Sequence, residues 1–187
     1  MQFELMTRID GSLTAIASLR EAIDDVCAIV EAIAGALRGG GTLYTCGNGG
    51  SAAQALHLAE ELIGRYRGDR APFRAVCLNA DPAALTCIAN DFGYERIFSR
   101  QCEALLKPGD ALLALSTSGE SANIIEALEV ARGLHARTLG LLGKGGGRCR
   151  TLCDRCVTVP GDDSAHIQEA HMVMIHLICE ALETGSV

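Results

Sequence analysis

The sequence predicts an α/β fold, with a doubly wound, five-stranded parallel sheet that carries helices on both faces. Strand-like runs of five to seven residues alternate with longer segments whose apolar residues recur every three or four positions. One run, ALLALS at 111–116, is apolar up to its final serine, as is typical of a strand buried on both faces. The 187 residues fill one core and contain no repeat or linker, so a single domain over 1–187 is predicted.

The amino-terminal part of the chain is predicted to form a long helix followed by the first strand. Residues 12–38 repeat apolar side chains at helical spacing, and the three glycines that follow would end the helix. The apolar run TLYTC at 42–46 is the first strand. A glycine-rich loop then leads into a helix that carries His57 and Glu61.

The same alternation continues to the carboxyl terminus. Pro-Gly-Asp at 108–110 makes the turn into the buried strand. The elements predicted after the second helix are a strand at 73–79, helices at 82–90 and 94–106, a strand at 111–116, a helix at 122–135, strands at 137–143 and 156–160, and a helix at 164–183. Ligands of parallel sheets bind at the carboxyl ends of the strands, so the site is expected in the loops there.

Composition and charge exclude several classes of protein. The longest apolar run falls short of the ~20 residues that a membrane-spanning helix requires. A net charge of −7 without a basic stripe argues against a nucleic-acid partner. The first residues lack an apolar signal core, and nine cysteines, an odd number, are typical of reduced thiols. A cytoplasmic protein without membrane or nucleic-acid partners is therefore expected.

Three of these cysteines leave two interpretations open. Cys149, Cys153 and Cys156 have the spacing C-x3-C-x2-C, which is used to hold a radical-generating iron–sulfur cluster. Such clusters lie near the start of much longer barrels, whereas this triplet lies late in a short chain. Free cysteine is commonly a small buried apolar residue, so packing is favoured over metal binding.

Two loops with phosphate-binding character follow predicted strands. The first spans 47–51 and the second spans 116–121, and each leads into a helix whose free N–H groups and positive dipole end face the strand ends. The alternative for the second loop is simple helix capping by Ser118 or Ser121. Because two such loops meet at one edge of the sheet, a phosphorylated ligand is favoured.

A nucleotide is a weaker interpretation of the first loop. Gly47-x-Gly49-x-x-Ala52 loosely matches a dinucleotide fingerprint, but no acidic residue stands about 20 positions further on, at the end of the next strand. The Gly-Lys-Ser/Thr of nucleotide triphosphatases is also missing from this loop.

Histidines and carboxylates interrupt the apolar stripes of two helices. His57 and Glu61 stand one turn apart on one face, and burying them without partners would be costly, which favours a function. Gln168, His171 and His176 interrupt the last helix in the same way. Gln168 and His176 are separated by about 12 Å along the helix, so a single copy would bring both to one metal or sugar only with strain.

Four motifs, taken in order, resemble the phosphoheptose isomerases, and the likeness runs over nearly the whole chain. They are CGNGGSAA…H…AEEL, ANDFGY, PGD followed by STSGES, and DDSAHIQEAH…IH. These enzymes carry the sugar-isomerase (SIS) domain and convert sedoheptulose 7-phosphate to D-glycero-D-manno-heptose 7-phosphate. The resemblance implies a flavodoxin-like αβα sandwich and a homotetramer with active sites between subunits.

The resemblance also implies roles for individual residues. Glu61 would move the proton between C1 and C2 through an enediol, with His176 as the partner acid/base. The implied zinc ligands are His57, Glu61, Gln168 and His176. The implied substrate-binding residues, besides Glu61, are Asn48, Gly49, Gly50, Ser51, Asn90, Asp91, Gln168 and, around the phosphate, Ser116, Thr117, Ser118 and Ser121.

The chain departs from the family pattern at four positions. Glu120 stands where Asn or Asp is usual, and Gln54 and Leu56 stand where Asp and Gln are usual. His166 replaces a frequent Arg. A non-catalytic SIS module that binds a sugar phosphate or a regulatory protein is the alternative to an isomerase. Such a module would not need the acid/base pair, and both of its members are present here.

Overall fold

The computed structural model describes residues 1–185 and confirms the predicted α/β class. Its five parallel strands form one sheet in the order β2-β1-β3-β4-β5. The strands are β1 Leu43–Gly47, β2 Ala75–Cys77, β3 Ala111–Ser116, β4 Arg137–Gly143 and β5 Arg155–Val159. This strand order is the flavodoxin-like one. The order in which successive strands are added to the sheet reverses between β1 and β3, and ligands of such sheets bind at that switch point.

Eight α-helices and two short 3-10 turns, at Ser18–Arg20 and Tyr94–Arg96, surround the sheet in the described chain. The helices are α1 Gln2–Ala17, α2 Ile23–Arg38, α3 Gly50–Ile63, α4 Pro82–Phe92, α5 Ser99–Leu105, α6 Ala122–Gly133, α7 Gly147–Leu152 and α8 Ser164–Thr184.

The core consists of two apolar clusters, one on each face of the sheet. Along β3, Leu113 and Leu115 point into the cluster that α2, α3 and α8 cover. Leu112 and Ala114 point into the cluster that α5, α6 and α7 cover. This alternation is that of a strand buried on both faces, which confirms the interpretation of the continuous apolar run.

A long amino-terminal helix is present, but the prediction of one unbroken helix over 12–38 is wrong. The chain turns between Ala17 and Ile23, so that α1 packs on α8 while α2 packs on the sheet. Arg8 donates to the Asp163 carboxylate at the start of α8. The residues of the turn are compatible with a helix, so periodicity did not show the break. Tertiary packing produces it instead.

Two other predicted elements differ from the observed ones by more than two residues, and one short helix was not predicted. β2 is an edge strand that pairs only with β1, and it comprises three of the predicted residues 73–79. Residues 94–96 form a 3-10 turn before α5, in place of one helix over 94–106. The short helix α7 separates β4 from β5 and has too few residues to show a periodic pattern.

The cysteine triplet packs within the core around α7. Cys149 is fully buried, and Cys153 and Cys156 are partly buried against the α5–α7 cluster. Burial raises the pKa of Cys149 to about 11, so the thiolate that a metal ion needs is disfavoured. Among the described residues, the three sulfur atoms do not converge as a ligand group.

None of the helices among residues 1–185 combines the length and the apolar character needed to cross a membrane.

Candidate active site

Helices α3 and α8 lie side by side and run in the same direction, so that matching positions face each other. Near the start of α3, the amide of Gln54 donates to the Gln168 carbonyl at 2.6 Å. The Gln168 side chain covers Gly50, where an added Cβ would lie 2.6 Å from its Nε2. Two turns beyond Gly50 and Gln168, His57 of α3 faces His176 of α8. The polar residues that interrupt the two apolar stripes therefore meet one another.

The second of these contacts gathers three of the four implied metal ligands. The Nε2 atoms of His57 and His176 lie 3.3 Å apart, and His57 Nε2 lies 3.7 Å from Glu61 Oε1. On the other side of the ring, His57 Nδ1 lies 3.1 Å from Glu60 Oε1. A proton on Nδ1 that is donated to Glu60 leaves the Nε2 lone pair of His57 directed at His176 and Glu61.

Gln168 does not join this group. Its side chain lies against Gly50 at the start of α3, whereas His176 lies against His57 further along the helix. The separation of about 12 Å between positions eight residues apart on one helix accounts for this arrangement. Within one chain, the structure therefore brings together His57, Glu61 and His176 and leaves Gln168 at the neighbouring loop.

The loop after β1 is held by a pair of asparagines at the switch point of the sheet. The side-chain amides of Asn48 and Asn123 exchange two hydrogen bonds, of 2.9 and 2.8 Å. The Tyr94 hydroxyl donates to Asn48 Oδ1 at 3.0 Å, and the Asn79 amide donates to the Gly47 carbonyl at 3.0 Å. These bonds fix the loop that joins β1 to α3.

The glycines of this loop allow the chain to fold tightly over the start of α3. Gly49 precedes the helix with φ +56, and a Cβ on Gly47 would lie 2.6 Å from the backbone of Ser51, which is buried. The positive end of the α3 dipole therefore opens toward the β1–β3 crevice beside Gly50.

The serine-rich loop after β3 is shaped by its own hydroxyls. Ser116 Oγ accepts from the Gly119 N–H at 3.0 Å, and Ser118 Oγ accepts from the Glu120 N–H at 3.2 Å. Ser121 is the residue that precedes α6, yet its side chain makes no capping hydrogen bond within the described residues. Thr117, Ser118 and Ser121 are half-buried beside the crevice. The capping alternative therefore does not account for Ser121.

Asn90 and Asp91 are exposed at the end of α4, and among the described residues neither side chain forms a hydrogen bond with the two loops. Asn90 Nδ2 donates to Asp91 Oδ1 at 2.7 Å. The residue of this region that reaches the first loop is Tyr94, in the 3-10 turn after α4.

The departures from the family pattern have structural explanations at three positions. The Glu120 carboxylate accepts the Arg148 N–H at 2.9 Å, so its charge is directed at the start of α7. Gln54 joins α3 to α8, and His166 packs over Gly11 of α1, where a Cβ would collide with its ring. The side chain of Leu56 is exposed.

Four residues of the site were not found by sequence reasoning. Glu60 lies three positions after His57, and Asn123 lies two positions after Ser121, so adjacency to a motif was an available signal for both. Tyr94 and Tyr66 reach the site from distant segments. The Tyr66 ring stacks on His176 with centroids 5.6 Å apart, and only the folded chain reveals this contact.

His171, which also interrupts the stripe of α8, is fully buried, and its Nε2 lies 3.1 Å from the Leu142 carbonyl. Burial lowers the pKa of His171 from 6.5 to about 4. Below pH 6.5, His171 binds a proton in the unfolded chain but stays neutral in the folded chain. The free energy of unfolding therefore falls as the pH drops toward 4. We expect this group to remove about 2 kcal/mol of unfolding free energy between pH 7.5 and 5.

Urea unfolding of the wild type and of His171→Gln at both pH values measures this effect. The variant retains an amide donor for Leu142 and lacks the ionisable ring, so it should lose less stability than the wild type on acidification. Equal losses in the two proteins would contradict the assignment.

Comparison with known proteins assigns the chain first to a class and then to a family. A family model described as SIS domain matches residues 9–143. The phosphoheptose isomerase of Geotalea daltonii is 45% identical over 181 residues, which cover 96% of this chain and 94% of that protein. That of Campylobacter jejuni serotype O:6 is 47% identical over 83% of each chain. The chain belongs to the phosphoheptose isomerase family of SIS-domain proteins.

Solved structures agree with this assignment. The phosphoheptose isomerase of Neisseria gonorrhoeae superposes with a TM-score of 0.92 at 34% identity, over 98% of each chain. That of Francisella tularensis superposes with a TM-score of 0.94 at 30% identity, again over 98% of each chain. The fold inferred from the sequence motifs is thereby confirmed.

Proposed function

We propose that this protein isomerises sedoheptulose 7-phosphate to D-glycero-D-manno-heptose 7-phosphate, the first step in making activated heptose precursors. The observation that carries the proposal is that Glu61 of α3 and His176 of α8 both lie beside Nε2 of His57, at 3.7 and 3.3 Å. Two relatives named phosphoheptose isomerase align with this chain over 94% and 91% of their own length, which supports the same activity here. The whole chain, 1–187, acts as one SIS domain, since His176 lies beyond the matched residues 9–143.

The two loops at the switch point suit the two ends of a sugar phosphate. The hydroxyls and N–H groups of the serine loop bind the 7-phosphate, and the negative charge is further stabilised by the start of α6. Asn48, Gly49, Gly50 and Ser51 contact the sugar hydroxyls. Asn90, Asp91 and Gln168 complete the sugar site. The phosphate-binding residues are Ser116, Thr117, Ser118 and Ser121.

The chemistry is a proton transfer between adjacent carbons. The Glu61 carboxylate removes a proton from C1 of the ketose, and the electron pair of the C1–H bond forms the C1–C2 double bond of an enediol. The same carboxyl group returns a proton to C2, which completes the aldose. His176 supplies a proton to O2 and accepts the one from O1, so the hydroxyl and carbonyl exchange positions without net uptake of protons.

The donor atoms around His57 suit a zinc ion: ligand atoms of His57, Glu60 and Glu61 lie within 4.8 Å of one another, and His176 Nε2 approaches His57 from α8. Zn–N distances of about 2.0–2.1 Å in a tetrahedral site imply neighbouring ligand atoms about 3.3 Å apart. The two Nε2 atoms of His57 and His176 have that separation, at 3.3 Å, and Glu61 Oε1 is at 3.7 Å from His57 Nε2. A bound zinc would polarise the substrate oxygens. The Glu60 carboxylate would orient the His57 ring.

The proposal also covers the oligomeric state of the protein, which determines how Gln168 can act as the fourth ligand, and its location. Exposed apolar side chains along one face of α1 suit contact with further copies of the chain. We propose a homotetramer with active sites at subunit interfaces, in which Gln168 serves the site across an interface. The side chains of this α1 face are Phe3, Met6, Ile9 and Leu13. Nine free cysteines suit a cytoplasmic location.

The alternative, a non-catalytic module that binds a sugar phosphate, is not favoured. The Vibrio vulnificus NanR protein, whose structure holds ManNAc-6P, resembles the chain at 16% identity with a TM-score of 0.63, which shows a shared fold alone. A module that only binds would have no need of a titratable pair such as Glu61 and His176.

Incubation with sedoheptulose 7-phosphate tests the proposal directly. Proton NMR should show the anomeric signals of the aldose as the ketose is consumed. A chain that is stabilised against heat by the sugar phosphate but forms no aldose would support the binding module instead.

A further inference from the structure

One partly buried carboxylate at the end of α8 holds the loop that follows α3. Glu183 accepts hydrogen bonds from the backbone N–H groups of Tyr66, Arg67 and Gly68, at 2.7, 3.0 and 3.0 Å. Its Oε1 also accepts from Arg70 Nε at 3.2 Å, and the two side chains are only 9% and 13% exposed. Glu183 therefore holds the backbone of the 65–70 loop on α8, and the exposed ion pair of Arg67 with Glu180 adds a second contact between the loop and this helix.

The hydrogen bonds to the 65–70 loop favour the ionised form of Glu183. Hydrogen bonds from the loop, that of the Gly68 N–H first, lower the pKa of the Glu183 carboxyl. The loop therefore stabilises the carboxylate, which accepts hydrogen bonds on both oxygens.

From this attachment the loop contacts both residues of the proposed acid/base pair. The Tyr66 ring stacks on the His176 imidazole, with centroids 5.6 Å apart and planes inclined by 28°. The Arg70 guanidinium donates to the backbone carbonyls of Glu61 and Leu62 at 2.8 and 2.9 Å, which closes the last turn of α3. The loop thus holds the helix end that carries Glu61 and covers one face of the His176 ring.

A histidine ring needs such support because its last torsion has no sharp preference. The χ2 angle of histidine is broad, so packing decides where the two ring nitrogens point. His176 is packed between Tyr66 on its face and the edge of the His57 ring, at a centroid distance of 5.5 Å and an angle of 77°. This packing directs Nε2 of His176 at His57.

We propose that Glu183 and Tyr66 are positioning residues of the isomerase. Glu183 holds the 65–70 loop, and through it Tyr66 sets the plane of the His176 imidazole relative to Glu61. Neither residue transfers a proton. The inference rests on the proposed function for its effect on turnover, but the orientation of the ring can be measured without substrate.

The first test is the NMR signal of the His176 Cε1–H in protein labelled with ¹³C-histidine. The chain has five histidines, so His176→Gln assigns the signal. In the wild type, the stacked Tyr66 should shift this proton upfield. Tyr66→Leu and Glu183→Gln should each remove the shift, whereas Tyr66→Phe should keep it. Retention of the shift in Tyr66→Leu would overturn the inference.

The second test is the division of the kinetic effect between kcat and KM. Tyr66→Leu and Glu183→Gln should each lower kcat by about 10- to 100-fold, since small displacements of a reacting group have effects of that size, while KM changes little. The double variant should be no slower than the slower single variant, because the two residues act through one contact. Fully multiplicative losses would overturn the common role.

Glu180 provides a matched control on the same helix. It forms an exposed ion pair with Arg67 at 2.8 Å, one turn before Glu183. Glu180→Gln should leave both the NMR signal and kcat unchanged, and a loss equal to that of Glu183→Gln would overturn the special role of Glu183. If Glu183→Gln does not fold, Tyr66→Leu and Tyr66→Phe alone decide the question.

The two measurements also separate this inference from the proposed function. A shift that depends on Tyr66 and Glu183 in a wild type without isomerase activity would support the positioning and overturn the function. An active wild type whose His176 signal ignores Tyr66 would support the function and overturn the positioning.

Discussion

Replacing Glu61 with glutamine is expected to lower kcat for sedoheptulose 7-phosphate by about 10²- to 10⁴-fold, the usual contribution of a general acid/base. The glutamine amide has nearly the same shape as the carboxylate, and the backbone carbonyl of residue 61 still accepts a hydrogen bond from Arg70. It cannot take up the C1 proton, however. Substrate affinity should therefore survive the loss of turnover.

The measurement that isolates this step is exchange with solvent. In D₂O the wild-type enzyme should place deuterium at C2 of the aldose and at C1 of the recovered ketose, because the enediol can be reprotonated from a carboxyl group that exchanges with water. Glu61→Gln should incorporate none. Full turnover in this variant would overturn the assignment of Glu61 as the base.

Glu60→Gln is the graded comparison for that experiment. Glu60 is 61% exposed and contacts His57 only through Nδ1, so in the proposed site it would orient the His57 ring without contacting the substrate. Loss of such an outer contact typically costs about 10- to 100-fold in metal affinity or activity. A Glu60 variant as inactive as the Glu61 variant would mean that the two carboxylates have been assigned the wrong roles.

Gly119→Ala is expected to damage both stability and substrate binding. Gly119 has φ +67, and a Cβ there would lie 1.9 Å from the carbonyl oxygen of Gly146, which is backbone and cannot rotate away. Strain of this kind costs about 1–3 kcal/mol of unfolding free energy. The serine loop must shift to relieve it, so KM for the sugar phosphate should rise about tenfold, which corresponds to about 1.4 kcal/mol of binding.

Gly133→Ala is the matched control, since an added Cβ at the end of α6 meets nothing within 4 Å. This variant should be as stable as the wild type or slightly more stable, because alanine favours the helix. Urea unfolding and steady-state kinetics of the two variants measure both effects. Equal KM values for Gly119→Ala and the wild type would contradict the placement of the phosphate.

The sheet and its binding edge could be predicted from the sequence because they depend on local pattern. A continuous apolar run such as 111–116 indicates a buried strand wherever it occurs, and glycines after a strand indicate a tight turn into a helix. The break between α1 and α2 could not be predicted in this way. It results from two different packing partners, α8 and the sheet, and neither is visible in the residues of the turn.

The site was predictable to the extent that its motifs carry its chemistry. His57 and Glu61 share one helix face by spacing alone, and His176 was connected to them only by family resemblance. Tyr66 lies in the segment GRYR that continues the first family motif, but no role was assigned to it, and Glu183 resembles any surface glutamate of a last turn. Their contact exists only when segments 117 residues apart meet.

The distance along the chain between the two halves of this site has a consequence for its synthesis. His57 and His176 are 119 residues apart, and α8 supplies the second of them. During translation the sheet can assemble while α8 is still emerging, since domains acquire structure from the amino terminus onward. Until α8 docks, the apolar side chains of α3 that pack against it remain uncovered. We therefore expect the nascent protein to lack the proposed acid/base pair and to be prone to aggregation until α8 has been made and has docked.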